Sequence, residues 1–185
     1  MKEKMLRFIL FSMLIIGIQG YSIAQEIPSQ SIYAELGGAG LAYSFNYDFR
    51  FDKSDINSWG MRIGAGGWSR SDSRSDNLWS EGLLTLPVQV NKLFGNGRHF
   101  FELGGGTTFI YYRDRYSWSG NESIIRNFSF ILDSGNTPAF MGTLNMGYRK
   151  IPENGGFTFR ANLTPLFNHT GFWPLFGGVS FGYAF

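Results

Sequence analysis

From residue 31 onward the chain alternates large apolar residues with small or polar ones, with a period of two. The longest run spans 41–51, where Leu41, Tyr43, Phe45, Tyr47, Phe49 and Phe51 fall on one face and Ala42, Ser44, Asn46, Asp48 and Arg50 on the other. Successive side chains of a strand point to opposite faces, so this pattern predicts strands and not helices. The same alternation recurs at 59–68, 83–94, 100–112, 140–150, 157–167 and 175–185, and no segment after residue 30 carries helical spacing. Runs of this kind match the roughly 9–11 residues that a tilted strand needs to cross a bilayer. A soluble sandwich strand also alternates, but it rarely presents six large residues in a row.

The punctuation between runs separates short links from long ones. Phe-Gly-Asn-Gly at 94–97 and Pro-Glu-Asn-Gly-Gly at 152–156 are tight-turn signals. Polar stretches at 69–80 and 114–137, with a shorter one at 168–173, read as loops. Seven strands are plain, and an even-numbered barrel requires an eighth. Before Gly37 the apolar phase is reversed: Ile32, Ala34 and Leu36 oppose Tyr33 and Glu35. A hairpin at 37–40 explains the flip and makes 31–37 the first strand. The alternative is a single strand over 31–51, with 122–132 supplying the missing one. The hairpin is the favoured choice, on the expectation that it gathers the short turns on one side. Either way the fold class is all-β: an eight-stranded antiparallel up-and-down transmembrane β-barrel.

Composition adds a leader to this picture. Lys2, Lys4 and Arg7 precede an apolar run over 8–18, and Ser22-Ile23-Ala24 offers a small-residue cleavage site. That is the layout of a cleavable signal peptide, and the run is too short for a spanning helix. The expected organisation is 1–24 signal peptide, 25–30 short polar leader and 31–185 outer-membrane β-barrel. The leader segment holds three of the 16 basic residues and one of the 14 acidic ones, so the remainder is near neutral despite a formal charge of +2 for the whole chain. Without a basic face, nucleic acid is not an expected partner. The chain has no cysteine, so neither disulfides nor a lipidated cysteine contribute. It holds 25 glycines and is 18% aromatic. Glycine with aromatics at modest hydropathy suits barrel strands, whose signal is alternation rather than continuous apolarity.

The segments YAELGGAGLAYSFNYDFRF, LTLPVQVNKLFGNGRHFFELGGGTTFI, GTLNMGYRKIPENGGFTFRANLTPLF and GGVSFGYAF together resemble small Gram-negative outer-membrane β-barrel proteins, and in particular single-domain barrels whose last strand is of the GxSFGYxF type. The resemblance spans almost all of the chain after the leader. It implies a fold and a location, the cell outer membrane, without an activity. It also implies that Phe181, Tyr183 and Phe185 form an assembly signal read by the barrel-insertion machinery.

Candidate chemistry concentrates on the polar face. Glu35, Asp48, Arg50, Arg62, Glu102, Arg149 and Arg160 all share it. An arginine facing lipid costs about 2–4 kcal/mol near the midplane, so these groups are expected to turn inward and form a paired ionic network. An eight-stranded barrel has an interior just wide enough for side chains to fill it, which argues against a porin-like channel. Inward glycines such as Gly60, Gly64, Gly104, Gly106, Gly178 and Gly182 leave a ligand cavity open as another use of the bore. Trp68, Trp79, Tyr111, Tyr112, Trp118 and Trp173 lie near the loop end and are expected to form an interfacial girdle. The loops add Arg70, Arg74, Arg113, Arg115 and Arg126, interspersed with acids. They are candidates for clasping lipid phosphates.

Only His99 and His169 could serve as an imidazole base, and neither has a nucleophile and an orienting group at a recognisable spacing. No catalytic residue, metal site or cofactor is therefore expected. The reading is a non-enzymatic, monomeric barrel that is structural or surface-interacting, with outer-membrane lipid and the insertion machinery as partners. A lipid-modifying enzyme (acyl hydrolase or acyltransferase) and a small-ligand-binding barrel are the alternatives.

Overall fold

The computed structural model describes residues 28–185 apart from 75–76 and 119–120; the segment read as a signal peptide, 1–24, and the leader as far as residue 27 lie outside the described residues. The wall consists of β1 (Gln30–Gly37), β2 (Tyr43–Arg50), β3 (Trp59–Arg74), β4 (Asn77–Asn96), β5 (His99–Trp118), β6 (Ala139–Lys150), β7 (Gly156–Leu163) and β8 (Gly177–Ala184). Each strand pairs antiparallel with its sequence neighbour, and β1 pairs with β8 from Ser31↔Ala184 to Gly37↔Gly178, which closes the sheet into an eight-stranded barrel. Closure removes the free edges that an open sheet would present. There is no α-helix among the described residues.

The wall is apolar on its outer face and polar within. Phe45 is 68% exposed, Phe140 66% and Phe157 60%, and the outward rows of all eight strands carry further exposed apolar residues. The inward rows hold Glu35, Asp48, Arg62, Gln89, Glu102, Asn145 and Arg160, none more than 2% exposed.

The seam between β1 and β8 depends on small residues. A Cβ placed at Gly182 would run into the Ile32 carbonyl oxygen and the Tyr33 Cβ across the seam. Oversized groups in packed sites cost about 1–3 kcal/mol where side chains can shift, and more where backbone is the obstacle. Gly182→Val is therefore expected to leave the barrel unclosed. The check is loss of the compact, fast-migrating species on an unheated denaturing gel.

The first hairpin is present, with a single turn of 3-10 helix at Gly38–Gly40. Its position differs from the expectation. Strand direction alternates, so the β1–β2 link lies at the end that carries the long loops, whereas the links at 51–58, 97–98 and 151–155 lie at the opposite end. Small residues let the hairpin fold into the bore instead of projecting from it: Gly38, Ala39 and Gly40 are buried. Leu41 sits at φ 69°, and the Ala42 N–H donates to the Gly40 carbonyl at 3.1 Å. This is the strained γ-turn with a positive central φ. It turns Leu41 inward to 2% exposure, off the outward row on which alternation had placed it.

Within the polar stretch at 69–80, the described residues 69–74 and 77–80 are strand and not loop. β3 and β4 stay paired from Ser69↔Gly82 to Arg74↔Asn77, and β5 continues to Trp118 against a short strand at Asn121–Ile125. Beyond the closed part of the wall the ribbon has no packed bore behind it. Register is inherited from the wall below, and the apolar half of the alternation has no function there. Residues 122–132 do not form a wall strand. Asn127–Ser129 pairs with Asp133–Asn136 in a small separate sheet, while Leu166–Asn168 and Gly171–Trp173 form a terminal hairpin.

Three layers fill the bore. Towards the loops, Leu41, Leu83, Ile110, Met141 and Leu166 form an apolar lid with Phe128 packed on it. Towards the short turns, Leu93, Phe100, Ile151 and Ala184 form an apolar floor with Ile56 against it. The polar layer lies between them.

Candidate functional site

The polar layer is built by parity. Inward positions of adjacent strands lie side by side, so residues far apart in sequence meet across a bore only a few side chains wide. The seven charged residues form one chain of alternating sign: Arg62, Glu35, Arg160, Glu102, Arg149, Asp48, Arg50. Arg62 Nη2 donates to Glu35 Oε2. Arg160 Nη1 lies 3.8 Å from Glu35 Oε1. Arg160 grips Glu102 as a fork, with Nε 2.9 Å from Oε2 and Nη2 2.5 Å from Oε1. Arg149 Nη1 bridges Glu102 Oε2 at 3.5 Å and Asp48 Oδ1 at 3.1 Å. Arg50 Nη2 closes the chain on Asp48 Oδ1 at 2.7 Å.

Neutral side chains satisfy most of the remaining donors and acceptors. Arg62 donates through Nε to Asn46 Oδ1 and through Nη1 to Gln89 Oε1, both at 3.1 Å. The Gln89 amide passes on to Thr143 Oγ1 at 2.7 Å. Asn91 donates to Asp48 Oδ2 at 2.7 Å and accepts from Arg50. Asn145 donates to Glu102 Oε1 at 2.9 Å. Arg149 Nη2 donates to Ser31 Oγ and Arg160 Nη1 to Tyr33 Oη, each at 2.6 Å. The guanidinium of Arg160 also stacks over the Tyr33 ring, 4.8 Å from its centroid. Ser180 Oγ lies 3.4 Å from Glu35 Oε1. With Gln89 and Asn91 from β4 and Ser180 from β8, all eight wall strands contribute to the network.

Burying charge is favourable only when each charge is paired and hydrogen-bonded. The alternating order meets that condition at the three carboxylates, each of which lies between two arginines. The inward glycines make the room: a Cβ at Gly60 would collide with the Arg50 guanidinium and one at Gly64 with the Asn46 amide. At these two positions the volume released is occupied by a neighbour's side chain.

The other residues singled out from the sequence divide by location. Phe181, Tyr183 and Phe185 are outward and exposed on the last strand and at the residue after it. Trp68 and Tyr112 pack against the apolar lid, so they sit on the inward rows of β3 and β5. Their even numbering, shared with Arg62 and Glu102, carried that information. Trp79 lies under Arg70, whose guanidinium carbon is 5.7 Å from the ring centroid. Tyr111 borders the outer face, and Trp173 is exposed. The side chain of Trp118 lies outside the described residues.

His99 Nδ1 is 2.7 Å from Tyr148 Oη at the turn end of the barrel, while His169 is exposed at the loop end. The two do not share a site. At the turn end, the Ser54 hydroxyl and N–H donate to Asp52, at 2.6 and 2.9 Å, and hold its carboxyl below the usual range. This contribution to the 51–58 turn is present above the usual carboxylate pKa and is lost as pH falls through the lowered value. Among the described residues no group of three or more His, Cys, Asp or Glu side chains could hold a metal ion.

Comparison with protein-family models, curated proteins and solved structures finds no match. The physical organisation of the barrel must therefore carry the functional reading.

Tyr33, Asn46, Gln89, Asn91 and Asn145 belong to the network as fully as the charges do. Tyr33, Asn46 and Asn145 have the parity of Glu35, Asp48 and Arg149 on their own strands, and Gln89 and Asn91 oppose the apolar row of Leu84, Leu86, Val88 and Val90, which was the signal available for them. Nothing in the one-dimensional pattern pointed to the buried hairpin as part of the lid, since small residues at a turn read equally well as an exposed loop.

Proposed function

We propose that this chain is an integral outer-membrane β-barrel, delivered by a cleaved signal peptide, and that it acts as a monomer through its wall and surface loops. The observation that carries the reading is the inversion of polarity. The outward rows form an apolar belt of Phe, Leu, Val, Ile and Tyr, while the ionic side chains of the wall's middle are enclosed. In water that arrangement would expose a continuous apolar surface far larger than soluble monomers tolerate. In lipid it is the favourable one.

The lid, ionic layer and floor occupy the bore one above another, so we assign the barrel no through-flow of solutes. It has a structural or surface-interacting role in the envelope, and no catalytic centre or cofactor is assigned. The outward aromatics of β8, next to the seam that closes the barrel, are suited to recognition by insertion machinery.

Heat-modifiable migration tests the reading. Barrel refolded into phosphatidylcholine vesicles is expected to run compact unheated, to shift on boiling, and to resist protease except at the loops. Planar-bilayer recordings of the same preparation are expected to show no steady conductance. A protein that stays in the aqueous phase, or runs identically heated and unheated, overturns the proposal.

A further inference from the structure

On the outer face of the β3–β4–β5 ribbon, one row above the apolar belt, lies a cleft of about 350 Å³. Its lower edge is Leu84 and Tyr111, and its wall is Arg113 and Arg115. Pairing sets its floor: Ser69 lies beside Gly82 and Gly82 beside Arg113, while Ser80 lies beside Arg115. With a glycine and two serines as neighbours, the guanidiniums flank nearly bare backbone.

The two arginines are not equivalent. Arg115 Nε is bonded to Glu122 Oε1 at 2.6 Å across an exposed bridge. Arg113 forms no ion pair among the described residues, and its Nε is shielded from solvent without an acceptor. Glu81 also lines the cleft, but its Oε1 accepts from the Tyr112 hydroxyl at 2.6 Å, so the shielded Arg113 Nε, beside small residues and a second cation, is left without an anion. Arginine takes phosphate as a fork. The position directly above the belt puts such an anion at the height of lipid headgroups.

We infer that this cleft is a headgroup site for an anionic phospholipid. The phosphate would be held by Arg113 with Arg115 in support, and the acyl chains would run down the wall past Leu84 and Tyr111. The inference rests on the membrane reading and adds a defined lipid site to it.

The test uses the full barrel in neutral maltoside detergent and native mass spectrometry. The probes are dimyristoyl phosphatidic acid, dimyristoylglycerol with the same chains and no phosphate, and inorganic phosphate. Wild type is expected to retain phosphatidic acid over dimyristoylglycerol. Arg113→Gln is expected to lose about tenfold in that retention, the size of one charge-assisted contact. Arg98→Gln, at the opposite rim, should behave as wild type, and a heat-modifiable shift certifies each variant as folded. Equal retention by wild type and Arg113→Gln, or equal retention of the two lipids, overturns the site. Retention of inorganic phosphate as strong as that of the lipid makes it an anion site without lipid character and also overturns the inference. A barrel that inserts into vesicles yet fails these comparisons loses only this site. One that does not insert fails the membrane reading itself.

Discussion

Glu102→Ala is expected to shift urea unfolding of the vesicle-inserted barrel to a markedly lower midpoint, a loss of about 3–5 kcal/mol, as when one partner of a buried ion pair is removed. Glu102 is the central link of the alternating chain. It takes the fork from Arg160 and the bridge from Arg149. Without it the chain splits into two triads, Arg62–Glu35–Arg160 and Arg149–Asp48–Arg50, each with two cations on one carboxylate, in a layer sealed above and below by apolar side chains. Arg50→Met should be much milder, because Asp48 keeps Arg149 and Asn91. Charge balance, not volume alone, is the variable: Glu102→Gln should be rescued in part by adding Arg160→Met. If Glu102→Ala unfolds at the wild-type midpoint, the ionic layer contributes nothing to stability. If the double variant is no better than Glu102→Gln, charge pairing is not what the layer supplies.

Val88→Arg probes the opposite face with comparable force. Val88 lies outward near the middle of β4, between Leu86 and Val90. In hydrocarbon an arginine there costs about 2–4 kcal/mol, falling to about 0–1 near the interfaces. On a water-facing wall the same change would fall within about 0.5 kcal/mol of neutral. The expected result is a clear drop in the urea midpoint for Val88→Arg and a smaller one for Leu84→Arg, which lies at the rim of the belt. Equal, negligible effects at both positions would mean that the belt does not face lipid.

The two experiments interrogate the two halves of one alternation, and that alternation was legible in the sequence to different depths. The wall strands at 140–150 and 175–185 could be read almost to their ends, because an exposed apolar face on one side and a packed polar bore on the other enforce strict alternation. At 69–74 and 77–80 the chain remains a strand with no alternation to reveal it. No packed bore lies behind it to enforce the pattern, and hydrogen bonding carried on from the wall extends the ribbon. Parity assigned Trp68 and Tyr112 to the inward rows, yet an aromatic near the rim also reads as girdle, and residue type alone does not separate the two.

The linear pattern alone makes the strands two-faced and about long enough to cross a bilayer, with arginine and glutamate sharing one face with glycine. Those properties follow from local geometry: a period of two and the penalty for charge in hydrocarbon. Which charges touch depends on the closed barrel. The partners in the alternating chain lie up to 125 residues apart, as with Glu35 and Arg160, and become neighbours only when β1 meets β8 and the barrel closes. It also decided that the first hairpin folds inward as part of the lid. That choice depends on the free space above the ionic layer, which exists only once eight strands have defined a bore of fixed width.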